Sequence, residues 1–182
     1  MLCLKHKHYP KLLEEGPCVP LWKGKGDRQD WNNDEGVTLL SVSGKVFARI
    51  IIDGIHHHLL EQQCPEQSGF TPKRSTIERI LTLRVTKCRR EFWQGLLAAS
   101  VDLCKSFNSL NQGALWRILG LRGVPPNLIN LMSELYSGNK SAVRCGGTIS
   151  NLFPIVSGVC QGCVLPPTLF STCMDWILGW MS

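Results

Sequence analysis

Apolar residues at Val46, Ile50, Ile51 and Leu59 recur at helical spacing over residues 45–60, which predicts an amphipathic helix with that face in the core. Ser75-Thr76-Ile77-Glu78 has the form of a capping box, and Ile77, Ile80, Leu81 and Val85 carry the helix on to the region of Gly95. The apolar run over 96–103 has the length of a buried strand flanked by helices, with Asp102 at its end. Further helices are predicted over about 111–121 and from Pro125-Pro126 to near Gly138. Residues 141–145 and 152–156, joined through Gly146-Gly147, read as a hairpin, and the turn over 158–162 leads into a last helix. Upstream, the polar stretch 23–36, with Gly24, Gly26 and Asn32-Asn33-Asp34, reads as a mobile basic loop or hairpin tip before a short apolar stretch at 37–42. No internal repeat interrupts this order.

The chain has 182 residues and a mass of 20.3 kDa, about one domain. With 43% hydrophobic and 19% charged residues it has the composition of a globular protein, which excludes extensive disorder. No apolar run approaches the ~18 to 20 residues of a membrane-spanning helix. Met1-Leu2-Cys3-Leu4 runs directly into Lys5, His6, Lys7 and His8, so the apolar stretch of a secretory signal is missing and a nuclear or cytoplasmic location is expected.

A net charge of +6 allows nucleic acid as a partner without selecting it. The distribution is more telling: Lys73, Arg74, Arg79, Arg84, Lys87, Arg89 and Arg90 face only Glu78 and Glu91 between residues 71 and 94. Such a helix is either a solvated face or a surface for phosphates. Nine irregularly spaced cysteines fit reduced thiols better than a disulfide framework. Cys160 and Cys163 form one CxxC, but no second ligand pair follows, and His56, His57 and His58 diverge on a helix and cannot close on one ion.

Two motifs change the picture. Asp102-Leu-Cys-Lys105-Ser-Phe107 and, from residue 158, Gly-Val-Cys-Gln161-Gly162-Cys-Val-Leu165-Pro-Pro167-Thr-Leu-Phe170 resemble the palm motifs D-x-x-K-A-F-D and G-x-x-Q-G-x-x-L-[SA]-P-x-L-F of LINE-type, non-LTR retrotransposon reverse transcriptases. Val19-Pro20-Leu-Trp22-Lys23-Gly-Lys25-Gly-Asp27 and Glu66-Gln67-Ser-Gly69-Phe70-Thr-Pro72-Lys73-Arg74-Ser75-Thr76 are similar to the family's fingers motifs. The four follow in family order over residues 19–170. The resemblance implies an α+β fold, an incomplete fingers-palm of a right-hand polymerase lacking its thumb and final palm hairpin. Its parts would be an N-terminal segment (1–18), a fingers-like region with the basic helix (19–95) and a partial palm (96–182).

The implied activity is RNA-directed DNA synthesis with an RNA template, a DNA primer and Mg2+. Magnesium takes hard oxygen ligands, so the resemblance makes Asp102 a metal-binding, catalytic carboxylate. It makes Phe107 the steric gate beneath the nucleotide sugar, and Gln161 and Gly162 the start of the helix under the templating base. Lys23, Lys25 and Arg74 become the fingers residues that hold triphosphate and template phosphates.

Departures from the pattern are equally specific. Asn33-Asp34-Glu35 stands where the family usually has N-Y-R, Asn108 replaces an Asp, Cys160 an Arg, and Pro166 a Ser or Ala. No Asp-Asp pair occurs, so the [YF]-A-D-D hairpin is absent from these residues. The expectation is a chain inactive by itself. The alternative is a non-catalytic nucleic-acid-binding protein using the basic helix. Loss of the hairpin would also expose an edge of the palm sheet and the face of the last helix bearing Leu169, Phe170, Trp176 and Ile177.

Overall fold

A computed structural model describes residues 17–92, 99–159 and 162–179. Among these residues five strands and six helices give an α+β arrangement. The first strand, β1 (Pro17–Trp22), pairs antiparallel with β2 (Asp34–Thr38), so the polar stretch between them is a hairpin loop, with a single 3-10 turn at Trp31–Asn33. On its other side β1 runs parallel to β3 (Lys140–Cys145), a pairing between residues more than a hundred positions apart.

The expected downstream hairpin turns at Gly146-Gly147, both at positive φ, as the sequence predicts. Its return limb differs. Instead of one strand over 152–156, β4 (Thr148–Ile149) and β5 (Phe153–Pro154) pair with β3 in succession. Between the pairs Ser141↔Phe153 and Arg144↔Ile149 the return limb carries one residue more than β3, a bulge. Ser150 sits at that break: its N–H donates to the Val143 carbonyl and its hydroxyl accepts from the Val143 N–H, both at 2.9 Å.

Helix α1 (Val42–Leu60) is capped by Ser41, whose hydroxyl accepts from the Gly44 N–H. Its buried stripe is Gly44, Ala48, Ile51, Ile52, Ile55 and Leu59. This corrects the sequence reading: Ile51 and Leu59 belong to the core, but Val46 and Ile50 are 56% and 62% exposed. The stripe is marked by the small residues Gly44 and Ala48, which an apolarity count passes over.

Helix α2 (Thr76–Glu91) follows, then the short α3 (Ser106–Ser109), α4 (Gln112–Leu121), α5 (Pro126–Tyr136) and α6 (Leu165–Gly179). Asn111 caps α4 through its side-chain oxygen, and Gly123 at positive φ ends it, so that Pro126 can open α5 at once. Pro166 and Pro167 fall in the first turn of α6, where N–H groups have no intrahelical acceptor and a missing donor costs little.

Helices α1, α4, α5 and α6 bury one core around Ile55, Leu115, Leu119, Met132, Leu165 and Leu169. The expected exposure of the last helix is therefore corrected. Leu169 is fully buried, Phe170 and Trp176 are half-buried, and Ile177 alone of the four is exposed, because α1 and α4 already cover that face. No helix among the described residues is long and apolar enough to cross a membrane.

Candidate nucleotide cleft

The loop between β1 and β2 is ordered by its own hydrogen bonds. Lys23 donates its N–H to the Asn33 carbonyl, the Asn33 side chain donates to the Asp27 carbonyl, and Asp30 accepts from the Asn32 N–H to cap the 3-10 turn. Gly24 and Gly26 supply the left-handed backbone that folds the loop back on itself. Facing it is the segment 103–108. Between them lies a cleft of about 840 Å³ walled by Lys23, Trp31, Asp34, Glu35 and Gly36 on one side and by Leu103, Lys105, Ser106, Phe107 and Asn108 on the other.

Lys105 adopts a left-handed conformation (φ 50, ψ 34), uncommon for a residue with a Cβ, and its ammonium donates to the Asn32 side-chain oxygen at 2.9 Å. That bond joins the two walls. Phe107 is pinned from behind: its ring stacks on Phe170 with centroids 4.7 Å apart, and its carbonyl accepts from the Val159 N–H at 2.9 Å. Gly36 and Asn108 also wall a second, more apolar cleft of about 830 Å³, which reaches Cys18, Thr38 and Val159. Beside Thr38 stands Gly162, at φ +116, where an added Cβ would fall on the Thr38 carbonyl oxygen.

Of the residues singled out in the sequence, the cleft thus gathers Lys23 and Phe107, with Gly162 behind β2. It does not gather Lys25, Arg74 or Asp102. Lys25 is exposed on the hairpin loop and is not part of the wall. Arg74 lies at the entry to α2, 3.6 Å from Glu78 and within reach of the Pro65 carbonyl. Gln161, like Cys160, lies outside the described residues.

Asp102 requires a correction. Residues 99–103 form no strand and are exposed, Val101 by 81%, so the carboxylate does not end a buried strand. The described part of the apolar run has no ladder partner, because β1 is flanked by β2 and β3 instead. Among the described residues no three His, Cys, Asp or Glu side chains converge to hold a metal ion, so these residues do not supply the ligand set that magnesium would need around Asp102.

One polar site escaped the sequence reading altogether. Asp175 and Arg122 form a buried ion pair at 2.6 Å beside a small pocket lined also by Leu59, Gln63 and Thr172. The other Asp175 oxygen accepts from the Cys64 N–H, and Arg122 donates to the Gln62 carbonyl while lying over the Trp176 ring. The Asp175 carboxylate, above all by its hydrogen bond, pushes the Cys64 thiol up from its ordinary pKa. The available signal was a lone carboxylate within the apolar run of α6, which has to find a donor once buried. Nothing in the sequence names Arg122 as that donor.

Comparison with known proteins identifies the family. Residues 33–182 match the family described as reverse transcriptase (RNA-dependent DNA polymerase). The chain is 28% identical over 116 residues to the retrovirus-related Pol polyprotein from type-2 retrotransposable element R2DM of Drosophila melanogaster, covering 63% of this chain and 11% of that protein. It is 25% identical over 174 residues to the RNA-directed DNA polymerase from mobile element jockey of Drosophila funebris, covering 92% and 19%. The transposon TX1 uncharacterized 149 kDa protein of Xenopus laevis is 25% identical over 152 residues, covering 83% and 12%. The chain thus spans from about a tenth to about a fifth of the length of these relatives. Reverse transcriptases as a family use divalent metal ions. From the match over residues 33–182 and the relatives that share most of its length, this chain belongs to the reverse transcriptase family, with the polymerases of non-LTR retrotransposons.

Proposed function

We propose that the chain carries the fingers and the beginning of the palm of a non-LTR retrotransposon polymerase, with residues 19–95 fingers-like, 96–182 a partial palm and 1–18 a leading segment. RNA-templated DNA synthesis is the reaction to which it belongs, with an RNA template and a DNA primer as partners. The observation that carries this reading is the cleft, which sets Lys23 of one motif opposite Lys105 and Phe107 of another, some eighty positions away. In it Lys23 is the cation for phosphate and Phe107 the ring against the sugar. Arg74 and Lys25 act on template phosphates outside it, and Gln161 with Gly162 lies against the templating base.

The 182-residue chain by itself does not catalyse this reaction. Asp102 is the one carboxylate in the expected motif positions, too few to organise the charges of a nucleotidyl transfer. Purified chain given a primed RNA template, deoxynucleotides and magnesium or manganese yields no extension product. Template-dependent extension that is lost in Asp102→Ala would overturn this.

A second reading has its own support: a nucleic-acid-binding protein that works through α2, none of whose residues is buried. Binding would then be weak, indifferent to sequence and steeply weakened by salt, since phosphate contacts release counterions. Neutralising Lys73, Arg74, Arg84, Lys87 and Arg90 together should abolish it. Binding that survives this change would make the helix a solvated face only.

A further inference from the structure

Both walls of the cleft are fixed through their own backbones, and a side chain ties one to the other. On the loop wall, one Asp30 carboxylate oxygen accepts from the Asn32 N–H and from the Asn32 side-chain amide, each at 3.0 Å, and the Lys23 N–H closes on the Asn33 carbonyl. On the facing wall, the Lys105 carbonyl accepts from the N–H groups of Asn108 and Ser109 at 2.9 and 3.1 Å, which holds its uncommon left-handed backbone in place. The Lys105 ammonium crosses between them. Its partner is the neutral side-chain oxygen of Asn32, turned toward it because the NH2 of the same amide is committed to Asp30, a carboxylate that can only accept. Among the described residues Lys105 forms no ion pair.

An ammonium resting on a neutral amide is open to exchange, since a phosphate oxygen offers the same donor a full opposite charge. The exchange needs only rotation about the Lys105 side-chain bonds and breaks none of the backbone hydrogen bonds that shape the walls. On the reading of this cleft as a nucleotide site, we propose that Lys105 is its second phosphate-binding residue, alongside Lys23, and that Asn32 competes with phosphate for the Lys105 ammonium. Nucleotide binding then replaces the Lys105–Asn32 hydrogen bond by an ion pair, and the amide sets the affinity at which this happens. Removing Asn32 therefore strengthens phosphate binding, the reverse of what losing a wall residue ordinarily does.

The test uses the 182-residue chain and two fluorescent probes, the N-methylanthraniloyl derivatives of deoxyadenosine triphosphate and of deoxyadenosine, titrated without metal at low salt. Asn32→Ala should tighten the triphosphate by about two- to threefold. Lys105→Met, which keeps the length of the side chain and removes its charge, should weaken it by about tenfold, while Lys105→Arg should stay within about threefold of the native chain. In the double variant Asn32→Ala with Lys105→Met, the Asn32 change should have no effect, because nothing is left to compete for. The deoxyadenosine probe should respond to none of these changes. The control is Lys45→Met, the same loss of charge at an exposed position of α1, which should alter the triphosphate by less than about twofold. Near-ultraviolet circular dichroism verifies that each variant keeps the native fold.

The proposal is overturned if Asn32→Ala weakens the triphosphate or leaves it unchanged, if the gain persists in the double variant, or if Lys45→Met weakens binding as much as Lys105→Met. In each case the cleft still stands as a nucleotide site provided that Lys23→Met weakens the triphosphate. If the triphosphate binds neither to the native chain nor to any variant, the nucleotide reading of the cleft and the proposal fall together.

Discussion

Helices α1 and α2 look alike on paper and live differently in the fold. Each is capped by a serine, each carries an apolar stripe, and they have 19 and 16 residues. Yet α1 buries Ile55 completely among α5 and α6, whereas Ile77 on α2 is 72% exposed and no residue of α2 is buried. Periodicity reports that a helix has an apolar side; it carries no information on whether another element covers it. Helix α2 therefore leans on local terms: the Ser75 cap, the Arg74–Glu78 and Lys87–Glu91 pairs, and Arg79, which donates to the Ser68 hydroxyl and the Glu66 carbonyl. Exposed pairs of that kind contribute about 0.3 to 0.5 kcal/mol each.

The contrast can be tested hardest at the exit of α1. Asp175→Ala would leave Arg122 charged and buried without its partner and release the Gln62–Cys64 segment, lowering the free energy of unfolding by about 3 to 5 kcal/mol. Urea denaturation measures it, and a loss below about 1 kcal/mol would mean that the packing of α1 does not depend on this pair. Next in size, Ile55→Ala should cost about 2 to 5 kcal/mol while Leu81→Ala on α2 costs about 0.5 kcal/mol or less. Equal losses would show that something covers α2 after all.

Ser75→Ala should cost about 1 kcal/mol, felt locally as faster amide exchange in the first turn of α2 with the α1 amides unchanged. Stability should also depend on pH at the alkaline end. Burial in α6 pushes the Cys173 thiol up to about 11 from an ordinary value near 9. The native state therefore holds this proton more tightly than the unfolded chain, and the associated stability is complete below about pH 9 and lost as pH rises through 11. Thermal unfolding between pH 8 and 11 should show this decline, flattened in Cys173→Ala. Exposed Cys88 of α2 should meanwhile alkylate well before Cys173, as peptide mass spectrometry would show.

Features set by neighbours in sequence were legible beforehand. The loop read over 23–36, of which 34–36 instead opens β2, the Ser75 cap, the Pro126 start and the Gly146-Gly147 turn each follow from backbone preferences within a few residues. Features set by distant partners were not. The run over 96–103 has strand-like composition, but its described part, 99–103, has no ladder partner alongside, and composition cannot supply one. Lys23 and Phe107 meet in the cleft while Lys25, Arg74 and Asp102 do not, because chain closure brings motifs together and the motifs do not encode it. The Arg122–Asp175 pair is the same case: a lone acid in an apolar helix announces a need, and twenty basic residues could have met it.

Gly162 works like a spacer of zero thickness. At that point the chain entering α6 rests directly on the carbonyl of Thr38, and a peptide oxygen, unlike a side chain, has no rotamer by which to step aside. Whatever is added at position 162 must be taken up as a displacement between β2 and the start of α6. Because β2 is also a wall of the cleft, even Gly162→Ala would combine backbone strain at φ +116 with a push on that wall, so the smallest possible side chain at this position disturbs the groove from behind.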